Sequence, residues 1–473
     1  MESHNLSRHN VPTIFALFGV TGDLAQKKIF PALIDLYVKK LLPEKFSIVG
    51  IARRDLSEDD FKNFVREAIE KKKHYDEEVL HRFLEHIQYH QGQFDNEDTY
   101  ISAQKRFEQI DADWGQCSNK LFYLSVPPTL YELILKHLSS SGLSKACDDL
   151  SGWTRILIEK PFGKDTATAQ HLDMLLGQLF KEEQVYRIDH YLAKQTLQNI
   201  LAFRFSNTIF EPLWNKKYIE SVDIHLYENN TLADRGSFYD ANGALRDVGQ
   251  NHLLQMVALV AMEQPKSLTC SSVRQKRADV IRSLKSDVKK LVRGQYKGYL
   301  EEEGVAKDST TETFFSVTAY MKNRRWKGVP FRLVSGKALD TSKVEIIVNF
   351  KDMTKGSFMP EEYERQECNK ITISIQPEEQ ISILFWVKVP GFENHIEPKE
   401  LSFSYHDSQS EHIDAYEKVL FDCIAGDQTS FISTDEIMSS WKFIMSVKEK
   451  LEKVPLCTYD QGSRGEDIIC NKT

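Results

Sequence analysis

Thr13-Ile14-Phe15-Ala16-Leu17-Phe18 is an almost wholly apolar run that passes directly into Gly19-Val20-Thr21-Gly22-Asp23-Leu24-Ala25. An apolar stretch without polar alternation suits a strand covered on both faces, as in parallel sheets. Beyond the turn, Ile29, Leu33 and Leu36 recur at helical spacing, so the segment reads as strand, glycine turn, helix. Such a turn lets the backbone approach a diphosphate without Cβ clashes, and the helix start behind it presents unpaired N–H groups. The spacing is G-x-x-G-x-x-A rather than G-x-G-x-x-G. Alone, the loop is equally well a tight turn, and the chain that follows has to decide.

Ser47 to Ala52 forms the next strand candidate and ends at Arg53-Arg54. A fold that reads the ribose of NAD places Asp or Glu there, whereas a guanidinium grips a 2′-phosphate with two parallel hydrogen bonds. The implied cofactor is NADP; the alternative is a pair of exposed loop charges. Asp35, an acid of the preceding strand-helix unit, falls inside its helix and too early to reach the ribose. Ile87–His90, Leu121–Val126 and Arg155–Lys160 continue the wound sheet, the last running into Pro161-Phe162-Gly163. In such sheets ligands lie beyond the carboxyl ends of the strands, which aims Lys160 at the cofactor edge. Pro161 holds it extended and permits a cis bond. After Phe162, Leu172, Leu175, Leu176 and Leu179 form a helical stripe that reads as core.

Arg187-Ile188-Asp189-His190-Tyr191-Leu192-Ala193-Lys194 follows the strand-like Val185 and Tyr186. A helix starting here would take Asp189 as N-cap and set His190 and Lys194 four apart on one face, near the positive end of its dipole. That is a phosphate site; the plainer alternative is a solvated helix start.

Up to this point strands and helices alternate, and beyond it they do not. Ile219–Leu226, Thr313–Tyr320, Val344–Phe350, Lys370–Ile375 and Ile381–Val387 read as strands, with helices at Ala244–Met262, Val273–Lys290, Ser410–Ile424 and Thr434–Leu451. The fold class is therefore an α/β N-terminal Rossmann-like domain, residues 1–189, followed by a larger α+β domain, residues 190–473, with a mainly antiparallel sheet. At 473 residues, 41% apolar and 27% charged, the chain has room for two cores. A net charge of −8 argues against nucleic acid as the main partner, so anionic ligands need local basic clusters. No apolar run reaches membrane-span length and the first ten residues lack a signal-peptide core, which points to the cytoplasm. Seven scattered cysteines without a CxxC pair read as reduced thiols, and no metal-ligand spacing is seen.

Taken together, GVTGDLAQKK from Gly19, LFYLSVPP from Leu121, EKPFG from Glu159, RIDHYLAK from Arg187, RDVGQNHLLQMVALVA from Arg246, WKGVPF from Trp326 and GKAL from Gly336 resemble the glucose-6-phosphate dehydrogenase family, in its order. The resemblance implies glucose 6-phosphate as substrate, NADP as hydride acceptor, no metal, and a homodimer or dimer of dimers whose contact is carried by the second sheet. It implies His252 as the catalytic base. At α-helical spacing Asp247 and His252 stand about 140° apart, so they would not share a face, and Asp247 is expected at the helix start. The acid that orients His252 is then Asp189, by resemblance. His190, Tyr191 and Lys194 would hold the phosphate, Lys160 would bridge substrate and cofactor, and Glu228, Asp247, Lys337 and Gln376 would meet the sugar. Gly19, Thr21, Gly22, Asp23, Leu24, Arg53, Tyr123 and Lys160 would bind the cofactor.

Two departures accompany this. Animal members carry a basic pair where this chain has Ser342-Lys343, so one phosphate or sugar interaction is either missing here or supplied by Lys343. They also continue past Gly462-Ser463-Arg464-Gly465 through an aromatic segment that helps hold a second, structural NADP. Two rival readings are a dehydrogenase of another phosphorylated sugar, such as 6-phosphogluconate, and a non-catalytic NADP sensor.

Overall fold

The first sheet is built from β1 (Thr13–Phe18), β2 (Phe46–Ala52), β3 (Ile87–Gln91), β4 (Asn119–Leu124), β5 (Thr154–Ile158) and β6 (Val185–Ile188). These come from a computed structural model describing residues 11–145, 152–232, 235–352, 368–392, 396–405 and 413–470. The strands pair in parallel in the order β6-β5-β4-β1-β2-β3, and Phe431–Ile432 adds an antiparallel edge beside β6. The order reverses between β1 and β4, and a crevice opens at that switch point. Every residue of β1, β2 and β4 is buried; their apolar runs account for most of this, and in β4 the buried Lys120 is paired with Asp111 at 3.1 Å. In the helix Thr166–Leu179 Leu175 and Leu176 are buried, whereas Leu172 and Leu179 are only half covered.

The chain divides into two compact units. One is the described part of Met1–Ala193 with Thr269–Ser271 and Ile413–Thr434; the other takes the described parts of Lys194–Leu268, Ser272–His412 and Asp435–Thr473. The return of Ile413–Thr434 to the first unit has physical anchors: Lys39 Nζ lies 2.6 Å from Glu417 Oε2, and the buried Arg155 guanidinium donates to the Ile424 carbonyl at 2.8 Å.

The second unit holds a nine-stranded sheet. Its strands include β7 (Ile219–Tyr227), β8 (Leu284–Tyr296), β9 (Phe314–Met321), β10 (Phe331–Gly336), β11 (Lys343–Phe350), β12 (Lys370–Gln376), β13 (Gln380–Lys388) and β14 (Ile396–Ser404). The order is β14-β13-β12-β11-β7-β10-β9-β8, closed by Leu456–Tyr459 in parallel beside β8. All other pairings are antiparallel except β10 with β7, so the sheet is mainly antiparallel.

Several expectations need correction. The helix expected over Val273–Lys290 ends at Ser283, and Leu284 starts β8 instead, because pairing of Leu284 with Met321 outweighs the helical tendency of the lysine-rich run. Four further strands, β10, β14, Phe431–Ile432 and Leu456–Tyr459, lie outside the segments whose residue pattern reads as strand. Cys117, after the helix Glu97–Trp114, is disulfide-bonded, contrary to the reading of all seven cysteines as reduced, while Cys270, Cys368, Cys423 and Cys457 are free. A disulfide needs two residues close in space, which their sequence spacing does not reveal. Among the described residues no helix is long and apolar enough to cross a membrane, and no cluster of potential metal ligands occurs.

Candidate active site

The β1 turn lies at the switch point. Gly19 has φ +82°, a left-handed conformation that glycine adopts without a Cβ penalty, and its N–H donates to the Ile51 carbonyl at 2.9 Å. A Cβ on Gly19 would stand 2.5 Å from the Ser125 carbonyl oxygen and 2.7 Å from Val126 Cγ1. Gly22 N–H closes the turn onto Gly19 O at 2.9 Å. Gly19, Thr21, Gly22, Arg53, Arg54 and Ser125 are among the residues lining a cleft of about 480 Å³. Neither Arg53 nor Arg54 has an ion-pair partner among the described residues, and both are exposed. This cradle fits a dinucleotide: close backbone approach at one end and two uncommitted guanidiniums at the other. Asp23 is solvent-facing and paired with Lys27 at 2.7 Å, which lowers its carboxyl from the ordinary value; Leu24 is half-buried at the helix start.

Tyr123 does not line this cleft. It is fully buried, and its phenol donates to Glu159 Oε1 at 2.6 Å. The other Glu159 oxygen lies 3.2 Å from His190 Nε2, and the Tyr131 phenol donates to the Glu159 carbonyl at 3.0 Å. Burial pushes the Glu159 carboxyl up, but His190, Tyr123 and Lys160 more than offset this and hold it below its ordinary value. The His190 ring also stacks on Tyr416 at 4.0 Å between centroids. Lys160, half-buried, precedes a cis peptide bond to Pro161.

Asp189 is buried but is not a helix N-cap. Its carboxylate accepts the Tyr191 N–H at 3.0 Å and its carbonyl accepts the Leu192 N–H at 3.0 Å, closing a turn. The helix begins only at Gln195, with Lys194 as its N-cap residue, so His190 and Lys194 do not share a helix face. An Asx turn and an N-cap use the same acceptor geometry, which is why the residue pattern fits both.

In the second unit, the helical stretch from Gly236 is broken at Gly243, φ +73° and ψ 167°. A π-helix then runs over Leu245–Leu253 and an α-helix over Leu254–Ala261. The Leu245 N–H donates to the half-buried Glu312 carboxylate at 3.1 Å. Winding of the π type bonds each residue to the one five along. Asp247 and His252 are therefore about one turn apart, and the α-helical separation expected for them does not hold. His252 is buried, and its N–H donates to Asn251 Oδ1 at 2.6 Å, while Asn251 Nδ2 donates to the Asp247 carbonyl at 2.9 Å.

Lys337 lies buried at the end of β10, with Nζ 2.7 Å from Glu228 Oε2 and 5.3 Å from the Tyr239 ring centre. Burial, then the carboxylates of Asp247, Glu228 and Glu312, drives the Tyr239 phenol well above its ordinary value. Lys337, Glu228 and Asp247 thus surround one buried tyrosine. Gln376 is exposed at the end of β12. Ser342 Oγ donates to Asn229 Oδ1 at 2.6 Å, and Lys343 is paired with Glu345 at 2.8 Å.

Two family models match almost the whole length: the NAD binding domain of glucose-6-phosphate dehydrogenase over residues 16–199 and its C-terminal domain over residues 201–470. The chain belongs to the glucose-6-phosphate dehydrogenase family. It is 38% identical to the glucose-6-phosphate 1-dehydrogenase of Chlamydia pneumoniae, over 95% of this chain and 91% of that protein. The Bacillus subtilis enzyme is 37% identical, over 96% and 94% respectively. A solved glucose-6-phosphate dehydrogenase in complex with its substrate superposes with a TM-score of 0.89 at 33% identity, covering 97% of each chain. The chain is accordingly an NADP-dependent glucose-6-phosphate dehydrogenase.

Sequence reasoning missed two groups in these sites. Glu159 stands out in the sequence only as part of a motif, yet it ties His190 to Tyr123. Tyr239 carries no signal, since its role depends on β10 and the π-helix meeting in space.

Proposed function

We propose that the chain oxidises the β-anomer of glucose 6-phosphate at C1 to 6-phosphoglucono-1,5-lactone, with His252 taking the proton of the C1 hydroxyl. NADP, when bound, accepts the C1 hydride. Asp189 fixes the tautomer of His252 and stabilises the imidazolium, as a carboxylate on the second ring nitrogen does. His190, Tyr191 and Lys194 hold the phosphate dianion, Lys160 orients C1, and Glu228, Asp247, Lys337 and Gln376 take the sugar hydroxyls. Gly19, Thr21 and Gly22 hold the diphosphate against the helix start with Asp23 and Leu24, and Arg53 reads the 2′-phosphate. The observation that most supports these roles is the π-helical turn, which brings Asp247 and His252 one turn apart on an anchored, buried element.

The chain acts as a cytoplasmic homodimer or dimer of dimers. The exposed Leu401 and Phe403 of β14 support an association through the second sheet, and an Arabidopsis thaliana relative 39% identical is named as cytoplasmic. Formation of NADPH absorbance with glucose 6-phosphate, compared with 6-phosphogluconate, tests the reading. Turnover only with 6-phosphogluconate, or none with either, would replace it by one of the two rivals.

A further inference from the structure

The stripe Ser439, Lys442, Ser446 and Lys450 falls on one side of the helix Thr434–Leu451, at i, i+3, i+7 and i+11. It faces the start of β8, and the two enclose a cleft of about 600 Å³ whose lining includes Lys285, Lys322, Lys442, Lys450, Ser286 and Phe443. Among the described residues no Asp or Glu lines this cleft, although the protein carries a net charge of −8. Arg282, at its edge, is already committed to Asp279 at 3.0 Å and Asp435 at 3.1 Å. The four lysines have no such neutralisation from the lining. Lys450 Nζ donates to Ser286 Oγ at 3.0 Å. Strand pairing of Leu284 with Met321 sets Lys285 beside Lys322, and the closeness of the two ammoniums lowers the proton affinity of Lys285.

We propose that this cleft binds a small polyphosphate, meaning a chain of two or more adjoining phosphate groups. Lysines act as mobile point charges suited to phosphate oxygens, serine hydroxyls between them donate to the same oxygens, and an anion relieves the mutual repulsion of Lys285 and Lys322. The volume lies in the range of small-ligand sites, and Phe443 with Ile281 and Leu284 gives one apolar wall against which a base could rest. A concave pocket in an acidic chain favours a compact ligand over a nucleic acid backbone.

Calorimetric titration of the full chain with sodium tripolyphosphate tests this, in the presence of saturating glucose 6-phosphate and NADPH, a pair that does not turn over. The expected result is one site per chain that persists with both ligands present. The Lys285→Glu/Lys322→Glu variant should bind at least about tenfold more weakly, since each charge-assisted contact accounts for roughly that factor, while kcat and KM stay at parent values. Lys442→Glu gives the same test from the helix side should the double variant fold poorly. Tighter binding of ATP than of tripolyphosphate identifies a nucleotide as the source, and equal binding an inorganic chain. Absence of binding beyond the substrate and cofactor sites, or unchanged affinity in both variants, overturns the proposal.

Discussion

Replacing Glu159 with Gln tests the link between the first sheet and the phosphate residues. The carboxylate accepts from the buried Tyr123 phenol at 2.6 Å and lies 3.2 Å from His190 Nε2, so the amide removes the charge from two contacts in a site of low exposure. A hydrogen bond to a charged group contributes about 1.5–3 kcal/mol, and independent sites add to within about 0.5 kcal/mol. A double-mutant cycle of Glu159→Gln and Tyr123→Phe, measured by denaturant unfolding, should therefore show a coupling of about 1.5 kcal/mol or more. Acid makes a second check. The folded Glu159 carboxyl titrates below its ordinary value, so its contribution is fully present above the unfolded carboxylate range and is lost as pH falls through the folded value. The stability gap between parent and Glu159→Gln should be constant near neutrality and narrow below about pH 5. KM for glucose 6-phosphate should rise several-fold in the variant, because His190 loses the carboxylate that orients it. Additive single and double variants, with a gap insensitive to acid, would refute the reasoning.

His252→Asn should lower kcat by about 10² to 10⁴ with KM for glucose 6-phosphate near the parent value, since loss of a general base costs about that much; steady-state rates of NADPH formation decide it. Lys194→Ala should raise KM for glucose 6-phosphate and reduce discrimination against glucose, a charge-assisted bond to the dianion contributing about 1.5–3 kcal/mol. An unchanged KM would assign Lys194 a role only in starting its helix. Arg53→Ala should reduce kcat/KM for NADP while leaving that for NAD nearly unchanged, because only NADP carries the phosphate that the guanidinium would meet. An equal loss with both cofactors would mean that Arg53 supports the fold instead. Gly19→Ala should weaken cofactor binding by fluorescence titration and lower the unfolding midpoint, as φ +82° and a Cβ only 2.5 Å from the Ser125 carbonyl oxygen leave no room.

The elements that could be read from the sequence are those whose local pattern already agrees with their surroundings. β1 and β2 are almost wholly apolar and buried throughout, and Thr434–Leu451 keeps helical spacing from end to end. β8 could not be read this way, because Lys285-Ser286-Asp287-Val288-Lys289-Lys290 has no strand pattern; β9 pairs with Leu284–Ser286 and again from Leu291, across a register shift between them. The π winding at Leu245–Leu253 is equally silent in sequence, since inserting one residue per turn leaves no compositional trace, yet it decides whether Asp247 and His252 can face the same way. The octapeptide from Arg187 to Lys194 shows why a cluster can be located correctly and its shape misread. Arg187, its first residue, is buried and holds Glu182 at 2.8 Å, Asp173 at 2.9 Å and Thr434 Oγ1 at 3.0 Å. That pins the end of β6 to the returning Ile413–Thr434 segment. Asp189 next closes a turn, and only then does a helix begin at Gln195. The charges that looked like one helix face thus divide between a fold anchor, a buried turn and a helix start. Substitution of Arg187 should be read as a stability change, and substitution of His190 or Lys194 as a change in substrate affinity.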